Sequence, residues 1–316
     1  LLAQGAWAEG WAEYEWREAT DLLSRQRRTS TAPRWNGEPL VGTTLLVLAE
    51  QGFGDTLHFA RYLPLLREPG ARVVLQCPAA LVSLLRASML ADDVISFDDE
   101  PPPHAWHVPL TGVPHRLRLH DDRAVYLSDA AYLSMPAATS NIALPTRDGM
   151  PRVGLVWAGS ATHVNDMHRS CGLDALMPLL RSNIAQWISL QTGERATDLT
   201  RVPRAITVYD AAPTLSTFAD TASLLTQLDL VITVDSAVAH LAGALGVACW
   251  LLLPRIGLDW RWAVHHTDAP LSPTPWYASV RCLRQSRVGE WRAESALLVN
   301  ALATQFATAA STSVAA

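Results

Sequence analysis

Three polar stretches, each following a short apolar run, hold the residues of this chain best suited to chemistry. The first, Glu50 to Asp55, opens like a dinucleotide-binding glycine turn but has Leu57 where the third glycine belongs. Asp55 at the start of the following helix repels a pyrophosphate, so this turn, shaped by Gln51, Gly52 and Gly54, suits a hydroxyl-bearing acceptor that needs a base. The plainer reading of Asp55 is a helix cap. The second stretch runs from Asp235 to His240, where Ser236 and Ala237 open a helix of small residues whose free N–H groups suit a phosphate. Asp235 opposes an anion there unless its carboxylate turns away, and His240 reads equally as a packed core histidine. The third runs from Trp157 to Ser160 and from Asn165 to Ser170, where Arg169 is placed to hold a diphosphate by charge-assisted hydrogen bonds. An ordinary solvated loop has the same composition.

Composition narrows the chemistry. The 316 residues carry a formal charge of -5, and a chain of that balance has no general attraction for nucleic acid or anionic lipid. All 25 basic residues are Arg, which excludes Schiff-base lysines and a conventional P-loop. No nucleophile elbow or paired-histidine zinc helix occurs, and His163 and His168, five apart, do not share a helix face. No metal and no bound cofactor are therefore expected. Cys77, Cys171, Cys249 and Cys282 are widely spaced and read as buried free thiols of a reducing compartment, so a cytoplasmic location is expected. The one apolar run of membrane length, Ala237 to Leu253, splits into a helix and a strand, so no membrane span is expected. The chain begins at Leu1 and not at Met, as a fragment does.

The elements that must position these loops alternate. Residues 1–29 read as amphipathic helix with Trp7, Trp11, Tyr14 and Leu22 near helical spacing, and Pro33 to Pro39 breaks it. Strands are expected near 43–49, 73–77 and 94–97, with helices after the first two, and 104–120 reads as irregular. The alternation restarts at Arg152: strands at 153–157, 186–190, 230–234 and 248–253, helices at 173–180, 218–227 and 236–245, and a last helix after Glu290. Two α/β domains with parallel sheets and Rossmann-like character follow. The expected division is a helical segment over 1–36, a first domain over 37–145 and a second over 146–316. Trp260, Arg261, Trp262, Trp276 and Tyr277 form an aromatic group that packs a domain edge or stacks a base, packing being the favoured reading.

Taken in order, the segment from Asp229 to Gly246, the turn Glu50 to Asp55 with Phe59 to Pro64, and the run Val156 to Gly159 with Asn165, Asp166, Arg169 and Ser170 resemble the motifs of heptosyltransferase-like glycosyltransferases. With Gly10 to Arg17 the pattern looks most like bacterial tetratricopeptide-repeat proteins carrying a family 9 or family 41-like transferase, here without the repeats. The resemblance implies a GT-B fold of two facing Rossmann-like domains behind a short repeat-like helical segment, and inverting, metal-independent transfer from a nucleotide sugar to a protein or glycan acceptor. It makes Asp55 the general base and lines the donor with Asp235, Ser236, Ala237 and His240. Arg169 falls where the family carries a phosphate-facing lysine; Trp157, Gln191 and Asn165 become further donor neighbours. Upstream repeats become possible partners. Two other classes fit the same fold: a non-catalytic interaction module, and a sugar-nucleotide epimerase.

Overall fold

In a computed structural model, which describes residues 1–19, 30–137, 142–147, 149–263, 267 and 269–313, the expected alternation becomes two sheets. The first consists of β1 (Thr44–Leu48), β2 (Arg72–Cys77), β3 (Asp93–Ser96) and β4 (Trp106–Pro109), all parallel, in the order β3-β2-β1-β4. Strand β1 is apolar from Leu45 to Leu48 because both of its faces are covered: Leu45 and Val47 enter the large core, while Leu46 and Leu48 pack with Val74 on the other side. Helix α2 (Phe53–Phe59) leaves the carboxyl end of β1, and α3 (Ala79–Ala87) that of β2. Strand β4 corrects the irregular reading of 104–120. Its four residues, closed by a proline, are too short to show a period in the sequence, and its place is fixed by pairing along β1.

The second sheet has the order β10-β11-β9-β8-β5-β6-β7. Its strands are β5 (Arg152–Val156), β6 (Gln186–Ser189), β7 (Val208–Asp210), β8 (Leu230–Val234), β9 (Cys249–Leu253), β10 (Ser272–Thr274) and β11 (Tyr277–Arg284). All neighbours are parallel except β10 against β11. Counted from β5, the parallel strands follow the 3-2-1-4-5-6 order of a doubly wound Rossmann sheet. The chain reverses its winding between β5 and β8, and the crevice beyond their carboxyl ends is where such sheets bind ligands. The helices that concern the site are α4 (Asp166–Arg169), α5 (Leu173–Leu180), α6 (Phe218–Leu225), α7 (Ala237–Ala244) and α8 (Trp260–Ala263); α9 (Arg292–Ser313) ends the described chain.

The expected helix over 1–29 is shorter. Helix α1 (Trp7–Tyr14) is flanked by tighter turns at Leu2–Gln4 and Glu15–Ala19, the first stopped by Gly5 in the left-handed region at φ 72°. Residues 20–29, including Leu22, lie outside the described residues. Trp7 and Trp11 are buried, and Trp7 meets Trp260 and Trp276 of the second lobe edge-on at 6.4 and 6.2 Å, so this segment is built into both lobes. Arg17, Arg34 and Arg116 all pair with Glu15, and Arg17 continues to Glu50 at the end of β1.

Candidate functional site

Both sheets point their carboxyl ends at the same place. Helix α2 of the first lobe and α7 of the second meet there, closely enough that a Cβ on Gly54 would lie 2.9 Å from His240 Cδ2 and 3.5 Å from the Ala237 Cα. Glycine at 54 and alanine at 237 are what permit this approach. The lobes also touch where Phe53 packs on Phe218 at the start of α6, ring centroids 5.0 Å apart.

Asp55 sits in the first turn of α2 with 20% of its side chain exposed. Its Oδ2 accepts the Gly52 N–H at 3.0 Å, the expected helix-capping bond. Its Oδ1 accepts Arg261 Nη2 at 2.5 Å, from α8 of the other lobe. Arg261 is 3% exposed, donates also to both oxygens of Asp259, and lies over the faces of Phe59 and Trp260. Burial opposes its charge, but Asp259 and Asp55 more than compensate, and its pKa is raised.

Ser236 caps α7 with its backbone only. Its hydroxyl goes to Thr233, so the first N–H groups of α7 receive no side-chain acceptor from their cap. Asp235 is turned toward Trp262, whose Nε1 donates to Oδ1 at 2.8 Å. Burial, and then Asp259, push the Asp235 carboxyl up to about 6, a Trp262 hydrogen bond opposing. Arg169 lies across Gly159 so closely that a Cβ there would displace its guanidinium, and it faces Asp166 at 3.6 Å. Asp235 and Arg169 sense one another electrostatically, as do His163 and the carboxylates Asp55, Asp166 and Asp259.

The structure thus brings together Asp55, Gly52, Gly54, Ser236, Ala237, Asp235 and Arg169, and treats five other expected site residues differently. His240 is 5% exposed; its ring stacks on Trp262 at 4.9 Å and its Nδ1 lies 3.0 Å from the Tyr277 hydroxyl, so it is a packed interface histidine. Trp157 lies in the core: it is 0% exposed and its indole donates to Asp198. Gln191 is spent inside the second lobe, its Oε1 accepting the N–H groups of Trp157 and Ala158 and its Nε2 donating to the Thr192 carbonyl. Asn165 ties its loop to the Gly257 carbonyl, and Gln51, at φ 62°, turns to Tyr14. The reading of residues alone missed Asp259, weighed His163 only as a metal ligand, and gave Arg261 a packing role. A cation flanked by tryptophans and preceded by Asp259 signals a buried charge in want of a second carboxylate, but not which one. The aromatic group packs as favoured, with Trp262, Trp276 and Tyr277 all buried. Among the described residues no group of three or more His, Cys, Asp or Glu side chains is disposed as a metal-ligand set, and no helix is long and apolar enough to cross a membrane.

Gly54→Ala is expected to destabilise the protein by about 1–3 kcal/mol, because the facing imidazole is clamped by Trp262 and Tyr277 and cannot swing aside. Urea denaturation checks this; a stability equal to or above that of the parent would show that the two helices part freely.

No family profile matches the chain. Protein FlbA of Caulobacter vibrioides is 24% identical over 348 aligned positions covering 96% of this chain, which spans about half (53%) of that relative's length. Among solved structures, the ADP-heptose LPS heptosyltransferase II of E. coli is similar over 83% of this chain and 99% of its own, with TM-score 0.51 and 14% identity. The family 9 glycosyl transferase of Veillonella parvula matches 79% and 88% of the two chains with TM-score 0.53 and 11% identity. TibC of enterotoxigenic E. coli, described as an iron-containing dodecameric glycosyltransferase, matches 85% and 77% with TM-score 0.53 and 12% identity. At these identities the likeness establishes an α/β fold with parallel sheets, shared with heptosyltransferases.

Proposed function

We propose that this chain is an inverting glycosyltransferase that moves a sugar from a nucleotide sugar to the hydroxyl of a protein or glycan acceptor, without a metal or bound cofactor. The observation that supports it best is the close approach across the lobe contact of Gly54, the neighbour of Asp55, to Ala237 in the side-chain-uncapped first turn of α7. Residues 37–145 form the acceptor lobe and 146–316 the donor lobe. Asp55 takes the proton of the acceptor hydroxyl as it attacks; the α7 N–H groups, Ser236 and Arg169 hold the leaving diphosphate. A diphosphate beside Asp235 raises that carboxyl further above its already elevated value, which relieves the opposition of like charges. His240 supports α7 from behind, and Asn165, Gln191 and Trp157 hold the loops that border the donor. Residues 1–36 join the catalytic lobes to upstream repeats in the longer protein, in keeping with the greater length of the FlbA relative. The buried thiols of Cys77, Cys249 and Cys282 suit a reducing, cytoplasmic setting.

A panel of UDP-, GDP- and ADP-sugars, led by ADP-sugars because a neighbour is an ADP-heptose transferase, tests the reading by thermal shift and nucleotide release. A purified protein that neither binds nor cleaves any donor sinks it. One observation favours a second reading, a non-catalytic binding module: His240 is sealed in the lobe contact and Asp55 is already ion-paired. That reading gains if Asp55→Asn leaves cellular glycosylation intact while deletion of residues 1–29 abolishes function.

A further inference from the structure

Arg261 belongs to the second lobe, yet its guanidinium ends on a carboxylate of the first. One terminal nitrogen of the planar group, Nη1, serves both oxygens of Asp259 at 3.1 and 2.9 Å, and the other, Nη2, serves Asp55 at 2.5 Å. The aromatic faces of Phe59 and Trp260, one from each lobe, hold the plane at 5.2 and 4.8 Å from their centroids. Asp55 is thereby anchored by one hydrogen bond on each oxygen, from Gly52 and from Arg261, and a carboxylate oxygen has a second lone pair to offer. The next residue repeats the arrangement on the other lobe, where Trp262 holds Asp235 and stacks on His240. The one turn of α8 thus governs both carboxylates that face the lobe contact.

We propose that Arg261 is a positioning residue: it sets the orientation of the Asp55 carboxylate and makes that orientation conditional on the lobes being together. Its catalytic consequence rests on the glycosyl-transfer reading; the contact itself does not. A guanidinium can serve both carboxylates at once because its donors are fixed in a fork, whereas an ammonium of the same charge is a point donor on a flexible stem. Arg261→Lys therefore keeps the attraction between lobes and loses the fixed direction.

The test uses the whole chain in two arms. In the first, without substrate, Arg261→Met, Asp55→Asn and the double variant are unfolded in urea. The unfolding constant of the double variant is expected to differ by at least about threefold from that obtained by multiplying the two single effects, and agreement with that product overturns the proposal. In the second, with the sugar nucleotide that wild type cleaves, Arg261→Lys is expected to lower kcat by roughly 10- to 100-fold while donor Kd stays within about threefold. Donor affinity falling in step with kcat, or an unchanged kcat, would overturn positioning in favour of plain lobe adhesion. Arg261→Ala assayed with added guanidinium ion extends the second arm, and partial recovery of kcat is expected. If the first arm shows coupling and wild type cleaves no donor, glycosyl transfer is what fails, and the orientation of Asp55 by Arg261 stands.

Discussion

Asp55→Asn is expected to lower kcat for sugar transfer by about 10³-fold, within the range that a positioned general base contributes, while leaving donor Kd within about threefold. The replacement is nearly isosteric, so its carbonyl oxygen can still accept the Gly52 N–H that closes the first turn of α2. What it removes is the proton acceptor and the charge opposite Arg261. The donor-side groups, Ser236, Ala237 and Arg169, stand on the other lobe and keep their own partners. A base in the reaction therefore shows as a loss in kcat without a loss in donor binding. Kinetics of nucleotide release with saturating acceptor decide the matter; an activity within tenfold of wild type would remove Asp55 from the chemistry. The variant also leaves Arg261 with Asp259 as its remaining carboxylate, so a fall in stability is expected alongside the kinetic effect.

How much of this was readable in the residues depends on the distance over which each feature is decided. Strands such as Leu230–Val234 and helices such as Leu173–Leu180 and Ala79–Ala87 are announced locally, because a strand covered on both faces must be apolar throughout and a covering helix must show a stripe. Strand β11 buries Tyr277, Val280, Cys282 and Leu283 without a regular period of two, so it carries no clear strand signal in the residues. The carboxylates Asp55 and Asp235 were found because loops after parallel strands are where ligands bind. Arg261 as their organiser was not, since its partner lies 206 positions away and only the meeting of the two lobes makes the pair. His240 allowed two readings in sequence because a histidine one turn into a small-residue helix serves equally as ligand or as filler; the space left by Gly54 decides for filler in this conformation.

The same lobe contact makes stability depend on pH. His58 of α2 and His240 of α7 both lie 3.0 Å through Nδ1 from the single Tyr277 hydroxyl, which can donate its proton to one ring and must accept from the other. Burial, reinforced by the nearby guanidinium groups of Arg61 and Arg261, holds both imidazoles well below their ordinary value of 6.5, and Tyr277 stays protonated because burial raises it. Both rings are therefore neutral in the folded protein and basic near 6.5 when it unfolds. Their contribution is complete above that pH and is lost as pH falls, at up to about 1.4 kcal/mol per pH unit for each ring. Asp235 acts in the opposite sense: raised from 3.8 to about 6, it binds its proton more readily when folded and returns stability between those values as pH falls. The two imidazoles outweigh the one carboxyl, so unfolding free energy is expected to fall as the pH drops from 6.5 to 5. Urea denaturation across that interval measures the slope, and replacement of His58 by Asn should roughly halve the imidazole part. A flat profile over the same interval would mean that the rings take up protons as readily in the fold as in the unfolded chain, and with that the tight, dry apposition of α2 and α7 on which the proposed site depends could not hold.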